Sequence, residues 1–242
     1  MILARLSRGI RRQNWIAVTL ELVIVIAGVV IGFQITGWNA ERQDREREAL
    51  ILCRLASDFD LIDADLRQHL ADAQASQRMA EAIVTAARRG MTPDDLDALD
   101  ITQAFTLRAA PAGSPTYAQL VSSGDMALIR SEPVRRSLID FHEQLARFQR
   151  AGDTLDMLLF DGGSEVVDFH ELSSDAVESL PERFQANMRA QLESTEFFLA
   201  ARRIYLANVS NLDWKTTLAE AAERVDAVLA EERPHCPAGA AP

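Results

Sequence analysis

The stretch Ile16–Ile35, IAVTLELVIVIAGVVIGFQI, decides how the rest of the chain is read. It is apolar throughout except for Thr19, Glu21 and Gln34. At a rise of 1.5 Å per residue, roughly 20 helical residues cover the ~30 Å hydrocarbon core of a bilayer. Trp15 and Trp38 stand at its two ends, where indole rings favour the headgroup region. A cleaved signal peptide would have a shorter apolar core and small residues before the cut. Here Trp38-Asn39-Ala40 precedes Glu41, a poor cleavage site. The expectation is an uncleaved, single-pass transmembrane helix over residues 15–38, a signal-anchor in type.

The flanks bear on its direction. Residues 1–14 are a short basic tail with Arg5, Arg8, Arg11 and Arg12 and no acid. Arg42, Arg45, Arg47 and Arg54 follow the span, so arginines alone tie. The distal four alternate with Glu41, Asp44, Glu46 and Glu48, and long domains translocate largely regardless of charge. The expected topology is N-terminus in the cytoplasm, domain outside. Within the span Gly28 and Gly32 form a G-x-x-x-G pair, which Thr36 extends. Glu21, seven residues before Gly28, points nearly the same way. A carboxyl group in hydrocarbon faces a partner or water, so this face suits homo-oligomerisation, although Glu21 also lies near enough to the interface to be hydrated there.

Beyond the anchor the chain is acidic. Of the net charge of −11, residues 1–40 contribute +3 and the remainder −14. Such a domain repels phosphate backbones and anionic headgroups, which argues against nucleic acid as a partner. Sparse aromatics and clustered Gly and Pro favour helices over a β-sandwich. Lys215 is the single lysine, read as a sign of a GC-rich genome.

Apolar or small residues recur with alternating spacings of three and four at Leu52, Leu55, Phe59, Ile62, Leu66, Ala73, Ala80, Ile83 and Ala87, with His69 and Ser76 in the two gaps. This is a coiled-coil-like seam on a helix of about 50 residues ending at Gly90. Thr92-Pro93 starts a short helix to about Asp100. Residues 108–116 read as a loop, and Ser114-Pro115 opens a helix through Ser123, broken at Gly124. Ser131 caps a long helix with the seam Val134, Leu138, Phe141, Leu145, Phe148, Leu155 and Leu159, which Asp161-Gly162-Gly163 interrupts. Residues 164–181 are ambiguous. Pro181 opens a helix to about Ser194. A last helix, 195–232, is expected to turn Phe198, Ala201, Ile204, Tyr205, Leu212, Ala219, Ala222, Val225 and Leu229 inward. Residues 234–242 read as a disordered tail. The fold expected is all-α: one transmembrane helix, then an elongated antiparallel helical bundle over 39–233.

If the two longest helices pair antiparallel, Cys236 returns to the level of Cys53, a candidate disulfide. The alternative is two unrelated thiols, and the sequence alone tips slightly toward it. Among the histidines, His142-Glu143 fails the zinc pattern because Ala146 stands at the second ligand position. Asp168, His170 and Glu171 form no set that would position a substrate. His69 reads as a partly exposed bundle histidine. The acids Asp58 to Asp72 lack the turn and glycine of a calcium loop. No catalytic motif, metal set or cofactor signature is found.

Two stretches carry a resemblance. One is Asn14-Trp15, the span with Glu21 and Gly28, and Gly37-Trp38-Asn39-Ala40-Glu41-Arg42. The other is Thr116–Arg130, TYAQLVSSGDMALIR, followed by Val134-Arg135-Arg136-Ser137-Leu138. Together they resemble a family of uncharacterised bacterial single-span membrane proteins, known only as a domain of unknown function. Ala40 between Asn39 and Glu41 is a minor departure from its Trp-Asn-Glu motif. The resemblance implies an inner-membrane anchor and no known activity. Tyr117, Leu120, Ser122, Ser123, Gly124, Leu128 and Ile129 have a physical reading of their own. They form a structural corner, with Gly124 relieving a left-handed turn before Leu128 and Ile129 pack. The function expected is a self-associating interaction or scaffold protein anchored in the bilayer, with a protein partner still to be identified. The rival is an extracytoplasmic sensory or small-ligand-binding bundle acting through a partner protein.

Overall fold

The computed structural model describes residues 15–105, 110–160, 178–232 and 236, excepting the side chains of 15–17 and 153–160. The basic tail 1–14, the tail 234–242 apart from Cys236, the Trp15 ring, the Leu155 and Leu159 seam positions and the 161–177 segment lie outside the described residues. The described chain is all-helical. Its helices are α1 (Trp15–Arg88), α2 (Pro93–Ala98), α3 (Ile101–Ala104), α4 (Pro115–Ser123), α5 (Glu132–Phe160), α6 (Glu182–Leu192) and α7 (Thr195–Glu232), with a 3-10 turn at Asp125–Leu128. It divides into two units, Met1–Ala49 and Leu50–Pro242, described separately.

The first unit is helical from Trp15, and one apolar stretch of α1 is long and apolar enough to cross a membrane. Val18 to Ala40 are all exposed, with Phe33 and Trp38 about three-quarters so. After it, exposed pairs one turn apart link Arg45 to Glu41 (2.6 Å) and Arg42 to Glu46 (3.0 Å). Such pairs are worth a few tenths of a kcal/mol each, about 0.3–0.5.

In the second unit the seam residues of α1 are buried, including the gap positions His69 and Ser76. His69 is thus a buried residue, not the partly exposed one expected. α1 stops where Gly90 takes a left-handed φ of 85°. At the start of α2 the Asp95 carboxylate accepts from the Thr92 N–H and hydroxyl, each at 2.8 Å. α3 is an element the sequence reading did not separate. Asp100 caps it by accepting from the Gln103 N–H at 3.0 Å.

Two apolar clusters make the core. One joins Ala80, Ile83 and Ala87 of α1 to Leu96 of α2, Ile101 of α3 and Phe197, Ala201 and Ile204 of α7. The other joins Leu55, Phe59, Ile62 and Leu66 of α1 to Leu120, Ile129, Leu138 and Phe141, and to Leu218, Val225 and Leu229 of α7. Phe59 and Phe141 meet edge to face at 4.9 Å, and burying each such ring contributes about 1.5–3 kcal/mol. Residue numbers rise along α1 as they fall along α7.

One further expectation needs correcting. α7 does not turn Phe198, Tyr205, Leu212 and Ala219 fully inward. They are half-buried, while Phe197, Ala200, Asn208, Asn211, Lys215, Leu218 and Ala221 are buried. The true seam passes through polar positions, which an apolar pattern skips. At the residue before α5 the Ser131 carbonyl accepts from the Arg135 N–H (3.1 Å), and the Ser131 hydroxyl donates to Glu232 Oε1 at the end of α7 (2.9 Å).

Candidate functional site

Three groups of residues stand out. The first is the span face. Thr36 donates its hydroxyl to the Gly32 carbonyl at 2.9 Å, so that donor is satisfied within its own helix. A Cβ added at Gly28 or Gly32 meets nothing within 4 Å. Thr36 therefore offers no free hydroxyl proton along this face.

The second is the corner. Ser114 caps α4 by accepting from the Tyr117 N–H (3.0 Å) and donates its hydroxyl to Asp58 of α1 (2.7 Å). The same Asp58 oxygen accepts from the Thr116 N–H at 3.0 Å. One carboxylate thus holds the start of α4 against α1. The Tyr117 ring stacks on His142 of α5, centroids 3.6 Å apart and 17° from parallel. Burial raises the Tyr117 pKa, with Glu143 adding to it. Burial also lowers that of His142, against the hydrogen bond to the Leu138 carbonyl. Because a carbonyl only accepts, His142 Nδ1 carries the proton at 2.9 Å from Leu138 O. Nε2 is then a buried acceptor without a partner among the described residues. It faces Gly113, where a Cβ would lie 3.5 Å from it and 3.1 Å from Leu145 Cδ2.

α4 ends at Gly124 with φ 77° and ψ 12°. Leu120 and Ile129 enter the core, Leu128 is half-buried, and the Ile129 carbonyl accepts from Arg135. Ser122 and Ser123 are exposed and donate back to the Gln119 and Leu120 carbonyls. Their hydroxyl protons are used by their own helix, which weakens the idea of a ligand site built from them.

The third group was missed by the sequence reading. Between the two apolar clusters lies a polar layer: His69, Asp72 and Ser76 of α1 and Asn208, Asn211 and Lys215 of α7. Ser76 and Lys215 are wholly buried, Asn208 1% exposed and Asn211 3%. α3 closes on this layer. Gln103 donates to Ser76 Oγ (3.1 Å), and Asn208 donates to the Ala104 carbonyl (2.8 Å) and to Ile204 O (3.0 Å). Asn208 Oδ1 and Asn211 Nδ2 find no partner among the described residues. On both helices the polar residues share the spacing i, i+3, i+7, the one available signal in the sequence.

Cys53 and Cys236 are bonded, with Cα atoms 5.7 Å apart across a separation of 183 residues. The bond closes the end of α7 onto α1. Asp168, His170, Glu171 and His235 lie outside the described residues. Among the described residues no three His, Cys, Asp or Glu side chains gather to hold a metal ion.

These features define an all-helical protein with one long apolar N-terminal helix. In comparison with known proteins, no family, no curated protein and no solved structure matches the chain.

Proposed function

We propose that the chain is a single-pass inner-membrane scaffold whose domain lies outside the cytoplasm and which self-associates through its span. The observation that carries this is the uninterrupted exposure of the apolar side chains from Val18 to Ile35. Such a surface needs lipid or another helix against it. Glu21, Gly28, Gly32 and Thr36 mark the side that a second copy covers. The Cys53–Cys236 bond supports the orientation, because disulfides persist in oxidising compartments. The reversed order of residues along α1 and α7 supports an antiparallel bundle for the domain. The paired motifs at Trp38–Glu41 and Tyr117–Ile129 carry the assignment to the family of single-span proteins that the chain resembles.

The test is cysteine crosslinking from Thr36→Cys in native membranes. A dimer band that Gly28→Ile abolishes is expected, and a monomer indifferent to Gly28→Ile would overturn the self-association. Alkaline phosphatase fused after Glu232 should be active, and an inactive but stable fusion would reverse the topology. The buried polar layer favours a second reading, a small-ligand sensor working through a partner. Saturable binding of a polar metabolite that Lys215→Met removes would select it.

A further inference from the structure

Residues 110–117, the approach to α4 and its first turn, are held on two sides. On the α1 side Asp58 accepts from the Ser114 hydroxyl (2.7 Å) and the Thr116 N–H (3.0 Å). On the α5 side the contacts converge on His142. The Tyr117 ring stacks on it at 3.6 Å, and a Cβ at Gly113 would lie 3.5 Å from its Nε2, so ring and backbone close over the imidazole. Its Nδ1–H is spent on the Leu138 carbonyl. Its Nε2 is buried and has no partner among the described residues. This arrangement suits a neutral ring. A proton added to Nε2 creates a buried charge and a buried donor that faces no acceptor. Among the described residues no charge offsets it: burial lowers the His142 pKa, and only the Leu138 hydrogen bond opposes that. Residues 110–114 carry no charged side chain. Tyr117 of α4 stays neutral, its pKa raised by burial. Glu143 of α5 is paired with Arg147 (3.3 Å), and Asp58 of α1 is taken up by Ser114 and Thr116.

We infer that His142 is an acid-sensitive latch on the corner. While neutral, it holds residues 110–117 against α5. Once protonated at Nε2, it gives up the stack on Tyr117 to reach water. The segment then opens on the α5 side, while the Asp58 bonds keep it on α1. The latch gives the corner a conformational role that the scaffold reading does not contain. By linkage, the opening constant rises about tenfold for each pH unit by which the native His142 pKa lies below 6.5.

The test uses the full-length protein in detergent, so its outcome is independent of topology and of self-association. Carbon-13 NMR of labelled histidine reads the native pKa of His142, assigned by the signal lost in His142→Phe or, should that variant misfold, in His142→Gln. Hydrogen exchange with mass spectrometry at neutral and at acid pH, scaled for the intrinsic rate, reads the opening. A native pKa below 6.5 is expected. Exchange in residues 110–117 should quicken toward acid by the factor that this pKa sets, while α1 peptides from Leu52 to Leu66 keep their rates. His142→Phe keeps a ring on Tyr117 and takes no proton, so it should exchange alike at both pH values. His69→Gln should behave as the wild type. The Tyr117 face also attracts a cation, so a native pKa at or above 6.5 would show that attraction to win and would overturn the latch. Acid-quickened exchange that survives in His142→Phe would overturn it too, as would quickening shared equally by the α1 seam, which is unfolding of the whole domain.

Discussion

Cutting the Cys53–Cys236 bond tests packing and topology together. The bond closes a loop of 183 residues, nearly the whole second unit. The loop-entropy relation gives about 5 kcal/mol for that length at 25 °C. Structure retained by the reduced, unfolded chain lowers the yield, and measured bonds contribute about 2–4 kcal/mol. With a urea slope of about 2 kcal/mol/M, the midpoint should fall by roughly 1–2 M on reduction. Cys236→Ser should reproduce the fall without reductant, and adding reductant to it should change nothing more. Equilibrium urea unfolding, followed by far-UV circular dichroism on detergent-solubilised full-length protein, reads both. Non-reducing mass spectrometry of the same preparation counts the thiols. Equal midpoints with and without reductant, in protein shown to hold the bond, would refute the energetics. Two free thiols in protein taken from native membranes would refute the bond and the extracytoplasmic placement with it.

Two other outcomes follow from the site geometry. Asp58→Ala leaves the Ser114 hydroxyl and the Thr116 N–H without their acceptor, so unfolding should become easier by about 1–3 kcal/mol; an unchanged urea midpoint would show that the corner does not depend on this carboxylate. Stability should also fall toward acid in two windows. The His142 pKa lies below 6.5 because burial disfavours the charged ring, so its contribution is present above pH 6.5 and is lost as pH falls through the lowered value. The Asp95 pKa is held at about 2, chiefly by its hydrogen bond from Arg89, so its contribution is present above 3.8 and is lost as pH falls toward about 2. His142→Gln should flatten the first window and Asp95→Asn the second, and urea midpoints at several pH values that keep the wild-type slopes would contradict the assignment.

The apolar span, the seam of α1 from Leu52 to Ala87, the stop at Gly90 and the corner at Gly124 are all legible in the sequence. Each rests on a local rule of period, length or left-handed turn. α7 is harder to read because its inward stripe holds Asn208, Asn211 and Lys215. A search for apolar period drifts off such a stripe to Tyr205 and Leu212, one helical position aside. The same blind spot hides the polar layer, although His69 and Ser76 mark its α1 half as two gaps in the seam. Lys215, read as a trace of genome composition, lies wholly buried at the centre of the fold. The role of Asp58 is out of reach for another reason. Its partners lie 56 and 58 residues away, and nothing local distinguishes it from the solvated acids beside it.

The polar layer also fixes how α1 and α7 align. A seam built only of Ala and Leu tolerates a shift of one heptad, about 10 Å, because apolar still meets apolar. Here such a shift would carry Asn208, Asn211 and Lys215 into the apolar clusters, against Ile62 and Leu66 on one side or Ala80 and Ile83 on the other. It would also bring apolar residues to His69 and Ser76. Burying polar groups away from their partners costs about 1–3 kcal/mol each in proteins, and more for a charge. Only the observed register puts polar on polar between the two clusters. The bond at Cys53 holds the same register from one end. The pairing of α1 with α7 is thereby fixed at two levels along its length.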